Sequence, residues 1–312
     1  MQVFSNINDF TPQKKTVVTL GTFDGLHKGH LAILLHLIES AKTENKESVV
    51  LTFFPHPRVV VSENSSLKLL NTIAEKKELF SKIGIDTFII HPFDQAFSEL
   101  TPEEFVKKIL VDQFNVAKII IGYDHKFGKN RAADFNDLKV FGAKYNFEVE
   151  EISAHQINEI AISSTKIRTA LQDGDVELAN HFLGYPYTLS GKVVKGKQLG
   201  RTIGYPTANV EIPEDYKLVP KIGVYAVSIQ VQSELHYGMM NIGTRPTVDG
   251  KKLSIEVHIF NFEQTLYDSN VTIHMLKRLR DEQKFESLEA LKKQLQQDKI
   301  DALHTISELN PN

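Results

Sequence analysis

Over the first 185 residues, short runs of β-branched and aromatic residues alternate with stretches whose apolar side chains recur at helical spacing. Strands are predicted at Thr16–Leu20 (TVVTL), 48–54 (SVVLTFF), 86–91 (DTFIIH), 117–122 (AKIIIG) and 147–152. Helices are predicted between them at 30–42, Ile73–Ile83, 102–114 and 137–145, with two more starting near Ser164 and Asp175. Strands so continuously apolar, separated by helices of this length, have both faces covered. The expectation is an α/β region around a parallel sheet.

The texture changes after Tyr185. Segments 191–195, Gly223–Val231, 235–241, 254–260 and 271–279 are strand-like and separated by turn-rich stretches. No helical period appears until 287–298, where Leu288, Leu291 and Leu295 share one face behind a Ser287 cap. This half is expected to be a small antiparallel β-barrel with a C-terminal helix packed on it. The boundary is placed within 183–187 (LGYPY), giving domains of 1–184 and 185–312. No internal repeat and no low-complexity segment is present.

Composition narrows the picture. A length of 312 residues favours two cores over one, at roughly 150 residues per domain. The absence of cysteine removes disulfides, thiolate zinc sites, iron–sulfur clusters and cysteine nucleophiles together. A net charge of −3 argues against a protein that coats nucleic acid or an anionic membrane, although a phosphate-bearing substrate needs only a few cations. The N-terminal MQVFSNINDFTPQKK holds no signal-like apolar run, and no stretch approaches the roughly 18 apolar residues of a membrane span. A cytoplasmic address is expected.

The run TVVTLGTFDGLHKGHLAIL sets a buried strand, a Gly-rich turn and an amphipathic helix in succession. Gly21, Gly25 and Gly29 permit close backbone approach, and the unpaired N–H groups of a helix start make an anion site before any side chain is considered. His27 and His30 add two donors there. Taken singly, each would be an ordinary surface histidine. A metal pair lacks a third His, Asp or Glu at ligand spacing. As a unit, His-x-Gly-His after a strand and a Gly-rich turn resembles the nucleotidyltransferase superfamily. That resemblance implies a Rossmann-like domain in which His27 and His30 hold phosphates and stabilise charge on the transferring group, with Gly21, Phe23 and Gly29 at the ATP. Segment 162–168 (ISSTKIR) offers hydroxyls at a helix start followed by cations. The family's matching element implies ATP-phosphate contacts for Ser164, Thr165 and Arg168. Segment 121–131 (IGYDHKFGKNR) is similar to the Gly-x-Asp-Phe-x-Phe-Gly stretch of bacterial flavin adenylyltransferases, implying flavin contacts for Asp124, Phe127 and Gly128. His125 stands where that pattern has Phe.

The second half carries a false lead. Residues 191–197 satisfy Gly-x4-Gly-Lys, but Gln198 follows where a phosphate-binding loop needs Ser or Thr, KVVK reads as strand, and no helix is expected after it. The informative run is 200–210 (GRTIGYPTANV), where Thr207 and Asn209 offer side-chain oxygens of the kind that hold magnesium on bound ATP. An isolated Gly-Tyr-Pro-Thr would be an ordinary turn. With GRTIG before it, the run resembles the riboflavin kinase signature, and GVYA, MNIGTRPTV, IEVHIFNF and RLR follow in that family's order. The resemblance implies ATP contacts from Gly200, Arg201, Gly204 and Thr207, metal ligation by Thr207 and Asn209, and flavin contacts from Arg245 and Arg280. In IEVHIF, Ile255, Val257 and Ile259 fall on one strand face and Glu256, His258 and Phe260 on the other. A solvated polar face is the usual explanation. Yet an alcohol, with a pKa roughly that of water near 16, needs a base to become a nucleophile. Glu256 is the candidate, and the resemblance implies the same role.

The motifs together span nearly the whole chain and resemble bifunctional bacterial riboflavin kinase/FAD synthetases. The reactions implied are riboflavin plus ATP to FMN and ADP, then FMN plus ATP to FAD and pyrophosphate, with Mg²⁺ as cofactor. The partners implied are these small molecules, with no nucleic acid, no membrane and at most weak self-association into a homo-oligomer. Three rivals stay open at this level. One is a nucleotidyltransferase acting on another phosphorylated acceptor, which leaves the second half idle. Another is a flavin-binding regulator without turnover. The third is nucleic-acid binding through the lysines of 192–197.

Overall fold

The computed structural model describes the chain except residues 63–65, 124, 154–161, 197, 248–249 and 310–312, and leaves out the side chains of 199, 245–247 and 250–252. It divides into two compact units, one of Met1–Leu69 with Ile73–Ser163 and the other of Leu70–Thr72 with Ser164–Asn312.

In chain order the first unit contains β1 (Gln2–Phe4), a 3-10 turn at Ile7–Asp9, β2 (Thr16–Leu20), α1 (Lys28–Thr43), β3 (Glu47–Phe54) and α2 (Pro57–Val61). There follow α3 (Ile73–Ile83), β4 (Thr87–Pro92), α4 (Gln95–Ser98), and α5 (Pro102–Phe105), which runs on in wider turns over Val106–Gln113. β5 (Val116–Gly122), a 3-10 turn at Lys129–Arg131, α6 (Phe135–Tyr145) and β6 (Glu148–Ile152) complete it. The sheet order is β1-β4-β3-β2-β5-β6 with every pair parallel. The apolar runs of the strands explain the layers. Alternate residues feed opposite faces, so Val17, Val50, Phe88 and Ile120 pack under α1 and α3, while Val18, Val49, Ile89 and Ile119 pack under α5, its continuation and α6. Chain order reverses beside β2, with β3 and β4 on one side and β5 and β6 on the other. The crevice at the carboxyl end of β2 is therefore where an open α/β sheet binds its ligand.

The second unit holds α7 (Ser164–Asp173), α8 (Val176–Leu183), β7 (Thr188–Val194), α9 (Leu199–Thr202), β8 (Ala208–Glu211) and β9 (Gly223–Val231). β10 (Glu234–Thr247), β11 (Gly250–Ile259), β12 (Asn270–Arg280) and α10 (Leu288–Leu309) follow. The strands close a barrel in the order β10-β11-β8-β7-β12-β9, antiparallel throughout. α10 lies on it through Ala302 and Ile306 against Ala226, Met239 and Phe260. Asn180 staples α8 to the barrel, its Nδ2 donating to the Met275 carbonyl at 2.8 Å and its Oδ1 accepting from the Tyr187 N–H at 2.7 Å. α7 and α8 thus pack with the barrel, upstream of the change of texture at 183–187.

Three features differ from the expectation. β1 and β8 are strands of 3 and 4 residues, too short to show a period, and each exists by pairing with a longer neighbour. α9 is a single turn where no helix was expected, and the side chain of its N-cap residue, Gln198, makes no capping hydrogen bond among the described residues. α10 continues past 298 because Ala302 and Ile306 keep the apolar period.

Candidate active sites

The turn after β2 is held in a conformation that side chains resist. Gly25 has φ 86, and Phe23 and Leu26 share the left-handed region at φ 45 and 38. Such backbone costs about 1–3 kcal/mol per non-glycine residue and survives where the surroundings over-determine it. Phe23 supplies part of that, its buried ring packing edge-on against Phe80 at 5.8 Å. A Cβ on Gly21 would come within 3.3 Å of the Phe23 ring, so the glycine admits the wedge. The turn ends at His27, which caps α1 by accepting the His30 N–H on Nδ1 at 3.3 Å. An accepting Nδ1 places the His27 proton on Nε2. The His27 and His30 rings stack at 3.6 Å and 17°, and Phe23 meets His30 edge-on at 5.3 Å. Burial, then His27, then Lys76 drive the His30 imidazole well below its usual pKa. His30 is therefore neutral near pH 7. Two neutral imidazoles at a helix N-terminus can donate to phosphate oxygens without competing for each other's charge.

Lys76, on α3, was not singled out by its sequence. It is buried beneath the turn, with Nζ donating to the Thr22 carbonyl at 2.7 Å. Phe127 and Gly128 follow β5, the strand beside β2. Phe127 is a core residue, its ring 5.8 Å from that of Phe105, and Gly128 has φ 73 with Pro102 where a Cβ would fall, 2.7 Å away. Asp124 lies outside the described residues. Ser164, Thr165 and Arg168 occupy the first turns of α7, in the second unit, with Ile167, Ala170 and Leu171 burying the opposite face.

In the barrel, strand register brings the kinase-like residues together. Glu256 on β11 sits opposite Asn209 on β8 and opposite Asn241 on β10. Directly paired residues share a face, so the carboxylate stands in a row between two amides. Thr207 Oγ1 approaches Glu256 Oε2 at 3.4 Å. Glycines make room: a Cβ on Gly196 would strike Asn209 Nδ2 at 2.2 Å, and one on Gly200 would strike the Tyr205 carbonyl at 2.2 Å. Gly204 turns the chain at φ 86. His258 is buried, and its Nδ1 donates to the Pro206 carbonyl at 2.8 Å, fixing the turn that presents Thr207. Burial, aided by Lys299, lowers the His258 pKa against that hydrogen bond. The strand face of Glu256, His258 and Phe260 is thus solvated only in part: His258 and Phe260 are buried, Phe260 under α10, while Glu256 is half-buried. Sequence alternation had not revealed this cover.

Arg280 forks onto Asp298 of α10, Nε and Nη2 donating to its oxygens at 2.7 and 2.6 Å, while Nη1 donates to the Asp281 carbonyl at 2.9 Å. Asp298 is 1% exposed, so this bidentate pair anchors the helix. Arg201 lies on α9, and the Arg245 side chain is outside the described set.

Two family models match the chain, FAD synthetase over residues 9–166 and riboflavin kinase over 183–306. A bifunctional riboflavin kinase/FMN adenylyltransferase of Listeria monocytogenes is 41% identical over 287 residues, covering 91% of this chain and 90% of the relative. The chain belongs to the bifunctional riboflavin kinase/FMN adenylyltransferase family. The Escherichia coli K12 member is 37% identical over 292 residues, 93% of each chain. A Streptococcus pneumoniae crystal structure described as a macrolide-efflux protein superposes with a TM-score of 0.87 at 33% identity, covering 96% of this chain and 97% of that one. Among the described residues of this family member, no helix is long and apolar enough to cross a membrane. Its N-terminal domain is an FMN adenylyltransferase and its C-terminal barrel a riboflavin kinase, both ATP-dependent.

Proposed function

We propose that the two activities divide by the nature of their nucleophile, with Glu256 as the base of the kinase and the His27–His30 pair as the phosphate clamp of the adenylyltransferase. Adenylyl transfer is assigned to residues 1–184 and phosphorylation to 185–312. The observation that carries the reading is the register that sets Glu256 between Asn209 and Asn241, with Thr207 beside it.

In the barrel, the ribityl 5′-hydroxyl of riboflavin attacks the γ-phosphorus of ATP. Its proton passes to a Glu256 oxygen as the bond to ADP breaks. Thr207 and Asn209 offer neutral oxygens near the carboxylate, a donor set suited to a hard cation such as Mg²⁺, and Gly196 leaves room for the Asn209 amide. Among the described residues no cluster of three His, Cys, Asp or Glu forms a metal cage. When bound, the ion would be held on the protein side by Thr207 and Asn209 and would supply neutralisation of charge on the ATP phosphates. Gly200, Arg201 and Gly204 line the approach of ATP. Arg245 is assigned to the flavin, and Arg280 bears on it by fixing α10.

In the sheet domain, the nucleophile is an FMN phosphate oxygen, already anionic at neutral pH because its second pKa lies near about 6. It attacks the α-phosphorus, pyrophosphate leaves, and no proton need be removed. Donors are what this step requires. His27 and His30 supply them beside Gly21, Phe23 and Gly29, and Ser164, Thr165 and Arg168 are assigned further ATP-phosphate contacts. Asp124, Phe127 and Gly128 are assigned to the flavin side, Phe127 as a supporting core residue. A chain without cysteine that consumes ATP fits the cytoplasm.

The test is a time course of the purified chain with riboflavin, ATP and Mg²⁺, resolving FMN from FAD. FMN should rise first and FAD follow at its expense. Flavin binding without ATP consumption would leave only a regulator.

A further inference from the structure

Lys76 is a cation without a surface. It is 3% exposed, and its neighbour on α3, Glu75, is buried too. Burial lowers the Lys76 pKa, and the charge of Asp24, itself 1% exposed, works against that fall. Its one described hydrogen bond runs from Nζ to the Thr22 carbonyl at 2.7 Å, one residue before the left-handed Phe23. A lysine used only to fill space would not need to bury its ammonium under this turn.

The same ammonium acts on His30, as does His27. His27 and Lys76 act on the ring by charge, Asp24 acts in turn on Lys76, and Glu75 is its buried neighbour on α3. His30 Nδ1 is buried and has no hydrogen-bond partner among the described residues. A buried N–H without an acceptor is harder to tolerate than a lone pair without a donor. The proton of the neutral ring therefore belongs on Nε2. A protonated ring would instead stand 3.6 Å from a second imidazole and near an ammonium.

We propose that Lys76 is a positioning residue for adenylyl transfer, tying down the turn of residues 21–27 through the Thr22 carbonyl and holding the His30 imidazole neutral with its N–H on Nε2. The inference rests on the reading of His27 and His30 as phosphate donors. Lys76 meets neither nucleotide nor flavin in this role. It sets the state of the ring that does. A neutral donor strengthens its hydrogen bond as charge develops in transfer and then releases pyrophosphate, whereas a fixed cation pair would grip reactant and product alike.

The experiment follows the His30 Cε1 proton by NMR in the full chain from acid to neutral pH, assigned by its loss in His30→Ala. In the parent chain its midpoint should fall below the ordinary 6.5. A midpoint at or above that value overturns the proposal with no variant needed. Lys76→Met should raise the midpoint, reduce adenylylation of supplied FMN by about tenfold or more, and leave riboflavin phosphorylation unchanged. Loss of adenylylation with an unmoved midpoint would make Lys76 merely structural, and unchanged adenylylation would also reject it. If Lys76→Met does not fold, Lys76→Gln retains an N–H donor without the charge and must give the same shift. His30→Ala separates the two readings. Full adenylylation in that variant ends the phosphate-donor assignment itself, whereas its loss together with normal activity of Lys76→Met ends only the role of Lys76.

Discussion

At the end of β2 this chain stacks two imidazoles 3.6 Å apart over a helix N-terminus, whereas on β11 it sets a single carboxylate between two asparagines. In the proposed function both places handle ATP and flavin, so the contrast cannot come from the substrates' bulk. It follows the attacking atom. An alcohol brings a proton that must go somewhere, and a carboxylate takes it. A phosphate monoester brings charge that must be steadied, and N–H donors do that. The architectures differ to match. A parallel sheet ends its strands at helix N-termini, which are natural anion sites, while a barrel sets side chains from neighbouring strands in fixed rows.

Substitutions that exchange these materials are the way to break the comparison. The largest effect is expected of Glu256→Gln, which should slow FMN formation about a thousandfold, the typical loss for a positioned base. Steady-state phosphorylation of riboflavin measures it. His30→Ala should lower FAD formation about a hundredfold, as for loss of one preorganised donor, and FMN should accumulate when riboflavin is supplied. Asn209→Ala should weaken use of MgATP by roughly tenfold in the kinase step alone, through loss of one hydrogen-bonding oxygen beside the phosphates. An unchanged kinase KM and rate would remove Asn209 from the site.

The smallest effect concerns stability. His30 and His91 in the first unit and His258 in the second have pKa values lowered, burial being the first cause in each. The unfolded chain therefore binds protons at the ordinary value of 6.5 that the native chain does not. Stability should rise with pH between the native and unfolded values, fall on acidification below 6.5, and owe nothing to these groups above it. Urea midpoints across that range check this, and His30→Gln should flatten part of the slope.

Much of this was legible from residue order. β2, α3 and β9 begin and end where their apolar patterns do, because each is a long run stopped by a glycine, a charge or a turn. The two proposed sites rest on compact motifs, His-x-Gly-His and Pro-Thr-Ala-Asn, that residue order alone displays. What stayed hidden depends on distant segments meeting. Lys76 reads in IAEKKELF as one of several helix lysines, and only the turn lying over it makes it buried. Asn241 joins Glu256 through strand register, which no single strand encodes. His258 looks outward by alternation until α10 covers that face. Arg280 reads as a substrate cation, yet its fork belongs to Asp298, which lies 18 residues later on α10.

The division by nucleophile is tested most directly by giving Glu256→Gln first riboflavin and then FMN, each with ATP and Mg²⁺, and following both flavin products. The account predicts almost no FMN or FAD from riboflavin, and FAD at the parent rate once FMN is supplied. FMN appearing at the parent rate, or no FAD from supplied FMN, would contradict it.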